Sequence, residues 1–239
     1  MYSFKNIGEF HSEKISEEED EKDFISVVII DESPIVTKGI DCIFEEFKLD
    51  NKSTKSLRKD LKIIGIYNQI KPTMLDELLN HPPDIILMEV FLKDVNSIEF
   101  LKKVNESGKN IKVIFFSSAR ESLYAVPLIK AGAAGFISKL EDPYEITSAI
   151  QHVYYGNTYL SEKANESVLN NFIEHNKKEK TNIPSIREFE VLTMLQQGRS
   201  CKEIAFSLGL SEKTVYAHRS SVIKKLAINK KYDLLNFYR

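Results

Sequence analysis

The sequence predicts an α/β protein in which five βα units form a doubly wound parallel sheet, followed by a smaller all-α helix-turn-helix domain. Short apolar runs alternate with segments of helical spacing from residue 26 to about residue 155, a pattern typical of a parallel sheet covered on both faces. From Ile183 onward the pattern changes to short helices, two of which meet at Gly209. At 239 residues the chain is long enough for two such domains.

Each predicted strand is a short apolar run, and each is followed by a segment with apolar residues at helical spacing. The predicted strands cover residues 26–30, 62–67, 84–88, 112–116 and 135–138. The predicted helices cover residues 35–47, 73–79, 98–104, 122–131 and 143–155. Residues 48–62 are polar and charged, and the pattern does not predict their structure.

The net charge of −2 hides two oppositely charged regions. Residues 9–23 hold eight acidic and two basic side chains, whereas residues 197–231 hold eight basic and two acidic ones. The acidic leader, residues 1–24, is predicted to be disordered. The basic C-terminal region favours a polyanion as partner, although a solvated helix face would carry similar charge.

Several classes of protein are disfavoured by the composition. No apolar run has the length of a membrane span, and the N-terminal residues lack the uninterrupted apolar segment of a secretory signal. We therefore predict a cytoplasmic protein with no membrane partner, and we expect no enzymatic activity. Cys42 and Cys201 lie in separate regions, so neither a zinc site nor a disulfide framework is indicated.

Polar side chains follow four of the five predicted strands. Asp31 and Glu32 follow the first strand, Glu89 the third, Ser117 the fourth and Lys139 the fifth. Ligands of such sheets bind beyond the carboxyl ends of the strands. Carboxylates can hold a divalent cation, a hydroxyl can bond an anionic oxygen, and an ammonium can pair with a carboxylate or phosphate. The sequence thus predicts a shared site there; a surface ion-pair cluster is the alternative.

Residues 25 to about 150 resemble the receiver domain of bacterial response regulators, which has a flavodoxin- and CheY-like fold. In that family a partner histidine kinase phosphorylates an aspartate at the end of the third strand, and Mg²⁺ is bound by that residue and an acidic pair. The resemblance places the acidic pair on Asp31 and Glu32, the phosphoacceptor position on Glu89, the switch hydroxyl on Ser117, the aromatic switch position on Phe136, and the family's lysine on Lys139. It also implies that Mg²⁺ could bind at Asp31, Glu32 and Glu89, although no cofactor is required.

The residue at the phosphoacceptor position is one methylene longer than the family's aspartate. In-line phosphoryl transfer requires the nucleophile to be placed within about 1 Å, and the extra methylene displaces the carboxylate by about that much. The loop departs as well, since Leu92-Lys93-Asp94 and Ser97 replace the Met-Pro-Gly and the glycine usual in the family. We therefore predict a receiver that signals without aspartyl phosphorylation, with the Glu89 carboxylate extended toward Ser117 and Lys139.

Serine residues mark the starts of the C-terminal helices. Ser185, with Glu188 three residues later, is a predicted capping box. Ser200 precedes a helix over residues 202–208, and Ser211 precedes a longer helix over residues 212–226. The last two helices, joined by a short turn containing Gly209, form a helix-turn-helix whose second helix enters the major groove. An ordinary helical hairpin is the alternative.

The same region resembles the LuxR-type helix-turn-helix along about 55 residues. The match includes Glu190-Val191-Leu192, Gly198, Lys202-Glu203-Ile204-Ala205, Leu208, Thr214-Val215, His218 and Lys225-Leu226. The resemblance implies that Tyr216, Ala217 and Ser220 face the bases. It implies a DNA-binding surface completed by Lys202, Ser211, Lys213, Thr214, His218, Arg219 and Lys224. For His218, a packed or capping role is the alternative.

A receiver followed by this module is the arrangement of NarL/FixJ-type response regulators. The predicted divisions are the leader (1–24), the receiver (25–154), a linker with a helix over residues 162–172 (155–182) and the DNA-binding domain (183–239). Relatives dimerise through the last helix, here residues 231–238, so the predicted partners are double-stranded DNA and a second copy of the chain. RNA polymerase or another transcription factor is a further candidate, and the histidine kinase stays open.

Three alternatives to a phosphorylation-independent regulator remain. The first is a phosphorelay output that retains an acceptor, such as a neighbouring serine or Asp94. The second is a receiver that reads another ligand or partner. The third is an adaptor that acts through another transcription factor.

Overall fold

The computed structural model describes residues 23–54, 58–68, 73–93, 96–161, 164–165 and 184–226. The predicted leader, linker helix and C-terminal dimerisation helix lie outside these ranges, apart from residues 23–24 and 164–165. The strands are β1 (Phe24–Ile30), β2 (Asp60–Tyr67), β3 (Ile85–Met88), β4 (Lys112–Ser117) and β5 (Gly135–Ser138). The helices are α1 (Pro34–Thr54), α2 (Met74–Asn80), α3 (Ser97–Glu106), α4 (Glu121–Lys130), α5 (Glu145–Tyr154), α6 (Ile186–Gln196), α7 (Cys201–Leu208) and α8 (Glu212–Lys225). Not one of these helices combines the length and the apolar character needed to cross a bilayer.

The N-terminal half contains a parallel sheet in the order β2-β1-β3-β4-β5. One face packs against α1 and α5, and the other against α2, α3 and α4, so that an apolar core lies on each side. The predicted doubly wound α/β class is therefore confirmed. The strand order reverses at β1 and β3, and sheets of this kind bind ligands beyond the carboxyl ends of the strands at such a point.

Helix α1 is longer than the sequence predicts. The apolar spacing ends the helix at Phe47, but α1 continues to Thr54 and β2 begins at Asp60. The buried side chain of Asn51 supports the continuation, since its Nδ2 donates to Arg58 O at 3.4 Å and to Asp60 Oδ1 at 3.2 Å. Both elements therefore extend into residues 48–62, for which the sequence predicts no structure, because these polar contacts leave no trace in apolar spacing.

Residues 157–161 return along the outer edge of β5. Tyr159 N donates to Ala134 O at 3.0 Å, and Tyr159 O accepts from Phe136 N at 3.0 Å. Ser161 N then donates to Glu121 Oε1 at 3.2 Å, at the start of α4. The start of the linker thus pairs with the edge strand and is attached to the helix beside it.

Helices α6, α7 and α8 form the C-terminal domain, and the all-α helix-turn-helix part of the predicted fold is confirmed. Gly209 ends α7 with φ of 62°, a left-handed conformation that glycine adopts without steric cost. Ser211 starts α8 by accepting a hydrogen bond from Thr214 N at 3.1 Å. The two capping boxes are Ser185 with Glu188 and Ser200 with Glu203.

Candidate functional site

The carboxyl ends of β1, β3, β4 and β5 bring the predicted polar residues into one cavity of about 280 Å³. Its lining includes Asp31, Glu32, Glu89, Ser117 and Lys139. Asp31 and Ser117 are buried, and the side chains of Glu89 and Lys139 are each 13% exposed. This burial argues against the alternative of an ordinary surface ion-pair cluster, because exposed pairs would be solvated and weakly held.

Both oxygens of the Glu89 carboxylate accept hydrogen bonds from the protein. Oε1 accepts from Val90 N at 2.6 Å, from Phe91 N at 3.2 Å and from the hydroxyl of Ser117. Oε2 accepts from Lys139 Nζ at 2.6 Å. Four donors from three segments of the chain therefore hold this carboxylate in one position.

Lys139 connects the carboxylates that follow β1 and β3. Its Nζ lies 2.5 Å from Asp31 Oδ2 and 2.6 Å from Glu89 Oε2, and 5.5 Å from the ring centroid of Phe116. Burial opposes the charged ammonium, but the charge of Glu89 and hydrogen bonds to both carboxylates outweigh it and raise the pKa of Lys139 above its ordinary value. The cavity thus contains a cation supplied by the protein itself.

The geometry does not fit the Mg²⁺ expected at Asp31, Glu32 and Glu89. Magnesium needs oxygen ligands in a near-octahedral arrangement, whereas Lys139 bonds to both Asp31 and Glu89. The Glu32 carboxylate is used elsewhere, since its Oε1 accepts from Lys93 N at 2.5 Å. Across the part of the chain that the structure describes, no three acidic, histidine or cysteine side chains converge to hold a metal ion.

Phe136 does not line the cavity. It is fully buried in the core on the side of α2, α3 and α4, because it lies within β5 rather than beyond its end. The aromatic residue of the lining is Phe91, which the sequence reading missed. Phe91 could have been predicted from its position two residues after Glu89, because the loop that follows β3 lies at the same edge of the sheet.

The residues predicted to bind DNA lie on α8, at its N-terminus and on α7. Their exposed members are Lys202, Ser211, Lys213, Tyr216, Ala217, Ser220 and Lys224, and their half-buried members are Thr214, His218 and Arg219. The Ser220 hydroxyl donates to Tyr216 O at 2.9 Å, within the helix itself. Lys213, Tyr216, Ser220 and Lys224 follow one another at helical spacing, so α8 presents a continuous exposed polar face.

Glu188 attaches α8 to the rest of its domain. Its carboxylate accepts from Ser221 Oγ at 2.5 Å and from Lys225 Nζ at 2.7 Å, both on α8, and from Ser185 N at 2.6 Å. Burial opposes the ionised form, but these donors outweigh it and lower the pKa of Glu188 to about 2. The sequence identified Glu188 only as a cap, since its partners on α8 lie more than 30 residues away.

The fold and the site together define a class of protein, in which a receiver-type α/β domain precedes a helix-turn-helix regulatory domain. A model of the response regulator receiver domain matches residues 27–151, and a model of bacterial regulatory proteins of the luxR family matches residues 185–237. The chain belongs to the response regulators of the LuxR family, which are DNA-binding transcription regulators.

Similar proteins match along most of the chain. The Fimbriae Z protein of Escherichia coli K12 is 32% identical over 212 residues, which cover 89% of this chain and 95% of that protein. The response regulator UvrY of the same strain is 28% identical, covering 88% of this chain and 91% of that protein.

Solved structures share the fold. RcsB from Salmonella enterica serovar Typhimurium, bound to the rprA promoter in the presence of the phosphomimetic BeF₃⁻, has a TM-score of 0.66 at 19% identity. A structure of two RcsB dimers bound to two parallel DNAs has a TM-score of 0.64 at 19% identity. Each of these alignments covers 90% of this chain and 98% of the RcsB chain.

Proposed function

We propose that this chain regulates transcription by binding double-stranded DNA as a homodimer, with a receiver that acts without phosphorylation at residue 89. The observation that carries the proposal is the Glu89 carboxylate, which is hydrogen-bonded to Ser117 and Lys139 at the same time. By the family resemblance, these are the groups that a phosphoryl group on residue 89 would meet.

Glu89 stands at the position of the family's nucleophilic aspartate. Its carboxylate also occupies part of the space that a phosphoryl group on that aspartate would fill. Its oxygens are already engaged by Ser117, Lys139 and two backbone N–H groups, so neither oxygen is aligned for attack on a phosphoryl donor. The carboxylate carries one negative charge, against about two for a phosphate. It therefore imitates the phosphorylated state only in part, and does so permanently.

The DNA-binding half of the proposal rests on the exposed face of α8. Lys213 and Lys224 can neutralise phosphates, while Tyr216 and Ala217 lie between them on the exposed surface and can meet base edges. The fully buried Val215 and Val222 pack α8 into its domain, so the exposed face is not needed for packing. Two such helices in a homodimer would contact two half-sites on one side of a duplex.

Treatment of the full-length protein with acetyl phosphate, followed by intact-mass measurement, tests the receiver part of the proposal. We expect no phosphoryl adduct on the native protein and no change in its affinity for DNA. Glu89→Asp is the matched comparison, because aspartate shortens the side chain and frees Ser117 and Lys139 to meet a phosphoryl group. This variant is expected to gain the adduct.

A stable adduct on the native protein would contradict the proposal, and its position would identify the alternative. An adduct on a serine or on Asp94, which lies outside the described residues, would indicate a phosphorelay output with a relocated acceptor. An adduct on Glu89 itself would show that the longer side chain still accepts the phosphoryl group.

A second candidate function, an adaptor that acts through another transcription factor, is favoured by the side chain of Phe206. This ring is 91% exposed on α7, although a phenylalanine is usually buried. An adaptor would have weak affinity for promoter DNA on its own and would gain it with its partner. Affinity of the purified protein for promoter DNA therefore separates the two functions.

A further inference from the structure

The two domains contact each other through a stack of three aromatic rings. Tyr124 of α4 is fully buried and lies edge-on between Phe91 of the receiver loop and Phe189 of α6. The ring centroids are 5.3 Å apart for Phe91 and Tyr124, and 5.0 Å apart for Tyr124 and Phe189. Edge-to-face pairs at these distances are favourable beyond the apolar area that they bury.

Polar contacts surround this stack. The Tyr124 hydroxyl is hydrogen-bonded to the side-chain amide of Gln196, with Gln196 Nε2 at 3.1 Å. Gln197 Nε2 donates to Leu92 O at 2.7 Å. Lys102 Nζ of α3 lies 2.5 Å from Oε1 of Glu190, whose side chain is only 2% exposed. The receiver therefore holds α6 by specific contacts as well as by apolar packing.

The Glu89 carboxylate holds the receiver side of this contact. It accepts from the backbone N–H groups of Val90 and Phe91. Phe91 begins the ring stack, and the next residue, Leu92, accepts the hydrogen bond from Gln197. The orientation of residues 90–92 therefore depends on the same carboxylate that bonds to Ser117 and Lys139.

Docking through α6 leaves the DNA-binding face uncovered. Phe189, Glu190 and Gln196 are buried in the arrangement, whereas Lys213, Tyr216 and Lys224 of α8 remain exposed. The contact between the domains is thus compatible with an accessible recognition helix.

We propose that Glu89 fixes the position of the DNA-binding domain, through residues 90–92 and the rings of Phe91, Tyr124 and Phe189, with the recognition helix exposed. Tyr124 contacts both Phe91 of the receiver and Phe189 of the DNA-binding domain. The consequence for DNA binding rests on the proposed function, but the mechanical link between residue 89 and α6 does not. Neutralising the Glu89 carboxylate should therefore make the position of the DNA-binding domain less well defined, although Glu89 makes no direct contact with that domain.

Distances between spin labels on the two domains test this link. Cys42 is exposed on α1, Cys201 is buried, and Ser207→Cys provides a second exposed site on α7. In the native background we expect one narrow distance distribution. Glu89→Gln should broaden it, because the neutral amide loses the charge-assisted bonds to Lys139 and to the loop.

Tyr124→Phe is the second variant, and it keeps the ring while removing the hydroxyl. Because Gln196 would lose its buried partner, we expect the undocked population to rise about tenfold. Tyr155→Phe is the matched control, since this tyrosine is 61% exposed and lies outside the contact. It should leave the distribution narrow.

A narrow distribution for Glu89→Gln beside a broad one for Tyr124→Phe would overturn the role of the carboxylate. A broad distribution in the native protein would overturn the docking itself, and an unchanged undocked population for Tyr124→Phe would overturn the contribution of the Tyr124 hydroxyl. Failure of the proposed function is recognised separately, since a phosphoryl adduct on the native protein changes none of these expectations for the unphosphorylated chain.

Discussion

A single methylene at residue 89 decides which groups the carboxylate can reach. Glutamate extends the carboxylate by about 1 Å relative to aspartate, and in this structure the longer side chain contacts Ser117 and Lys139 as well as the loop backbone. Aspartate in the same place would leave room between itself and these two groups. In the function that we propose, this side chain already makes the contacts that a phosphoryl group on residue 89 would make.

The ionised state of Glu188 should make the C-terminal domain sensitive to acid. Its folded-state pKa is about 2, against an ordinary value of 4.5, so its contribution to stability is full above pH 4.5 and is lost as the pH falls toward 2. Glu188→Gln should remove this contribution at neutral pH and lower the free energy of unfolding by about 1–3 kcal/mol. Thermal unfolding followed across this pH range measures both effects.

Glu203→Gln is the matched control for this prediction. Glu203 completes the other capping box, but it is exposed, and its carboxylate accepts hydrogen bonds from Ser200 of its own box. Glutamine can retain the capping hydrogen bond, and the variant should unfold close to the native protein. If the two variants lost the same free energy of unfolding, capping would stabilise the domain, rather than the contact of Glu188 with Lys225.

Helix starts could be predicted from the sequence, whereas one helix end could not. A capping box depends on residues three positions apart, so the box of Ser185 and Glu188 could be predicted from the sequence, and the structure contains it. The end of α1 depends on Asn51, whose amide donates to Arg58 and Asp60, seven and nine residues later in the chain. Polar contacts of that kind have no periodicity, and the apolar pattern therefore left residues 48–62 without a predicted structure.

The edge of β5 should be intolerant of a side chain at Gly135. A Cβ built there would lie 3.0 Å from Tyr159 O and 3.3 Å from Tyr159 Cβ, so residues 157–161 would have to move. Gly135→Ala is expected to lower the free energy of unfolding by about 1–3 kcal/mol and to speed amide exchange at Phe136. Denaturant unfolding and hydrogen exchange are the measurements.

Gly65→Ala provides the comparison on the opposite edge of the sheet. Its Cβ would meet Tyr67 Cε2 and Val28 Cγ2 at 3.5 Å, which is ordinary contact. This variant should be neutral or slightly stabilising, because alanine restricts the unfolded chain. If both variants lost stability equally, close approach of Tyr159 would not be the reason that glycine occurs at position 135.

At the scale of the whole molecule, most of the polar residues that line the receiver cavity were predictable, but the contact between the domains was not. The polar residues after the strands and the polar face of α8 were found because each lies at a position that the fold itself specifies. Tyr124 and Phe189 belong to separate domains, and both are fully buried. An apolar helix face indicates burial without indicating its partner, so the ring stack became visible only in three dimensions.

Binding to duplex DNA should reveal which residues of α8 meet phosphates and which meet bases. Lys213→Gln and Lys224→Gln should each weaken binding about equally for all sequences. Each should reduce the slope of log affinity against log salt concentration by about 1.8 for the homodimer, since one phosphate contact, worth about 0.9, is lost in each half-site. Tyr216→Ala should instead change the ranking of duplex sequences while leaving the slope unchanged. Titrations of full-length protein at several salt concentrations give both quantities.

Lys109→Gln on the receiver is the control for these titrations, because Lys109 is an equally exposed lysine far from α8 in the chain. The slope of log affinity against log salt concentration for Lys109→Gln should match that of the native protein. If Lys109→Gln changed the slope as much as Lys213→Gln, the protein would be attracted to DNA by its general charge and not by α8. If the native protein showed no affinity even at low salt, the adaptor function would be favoured, because an adaptor needs its partner to reach the duplex.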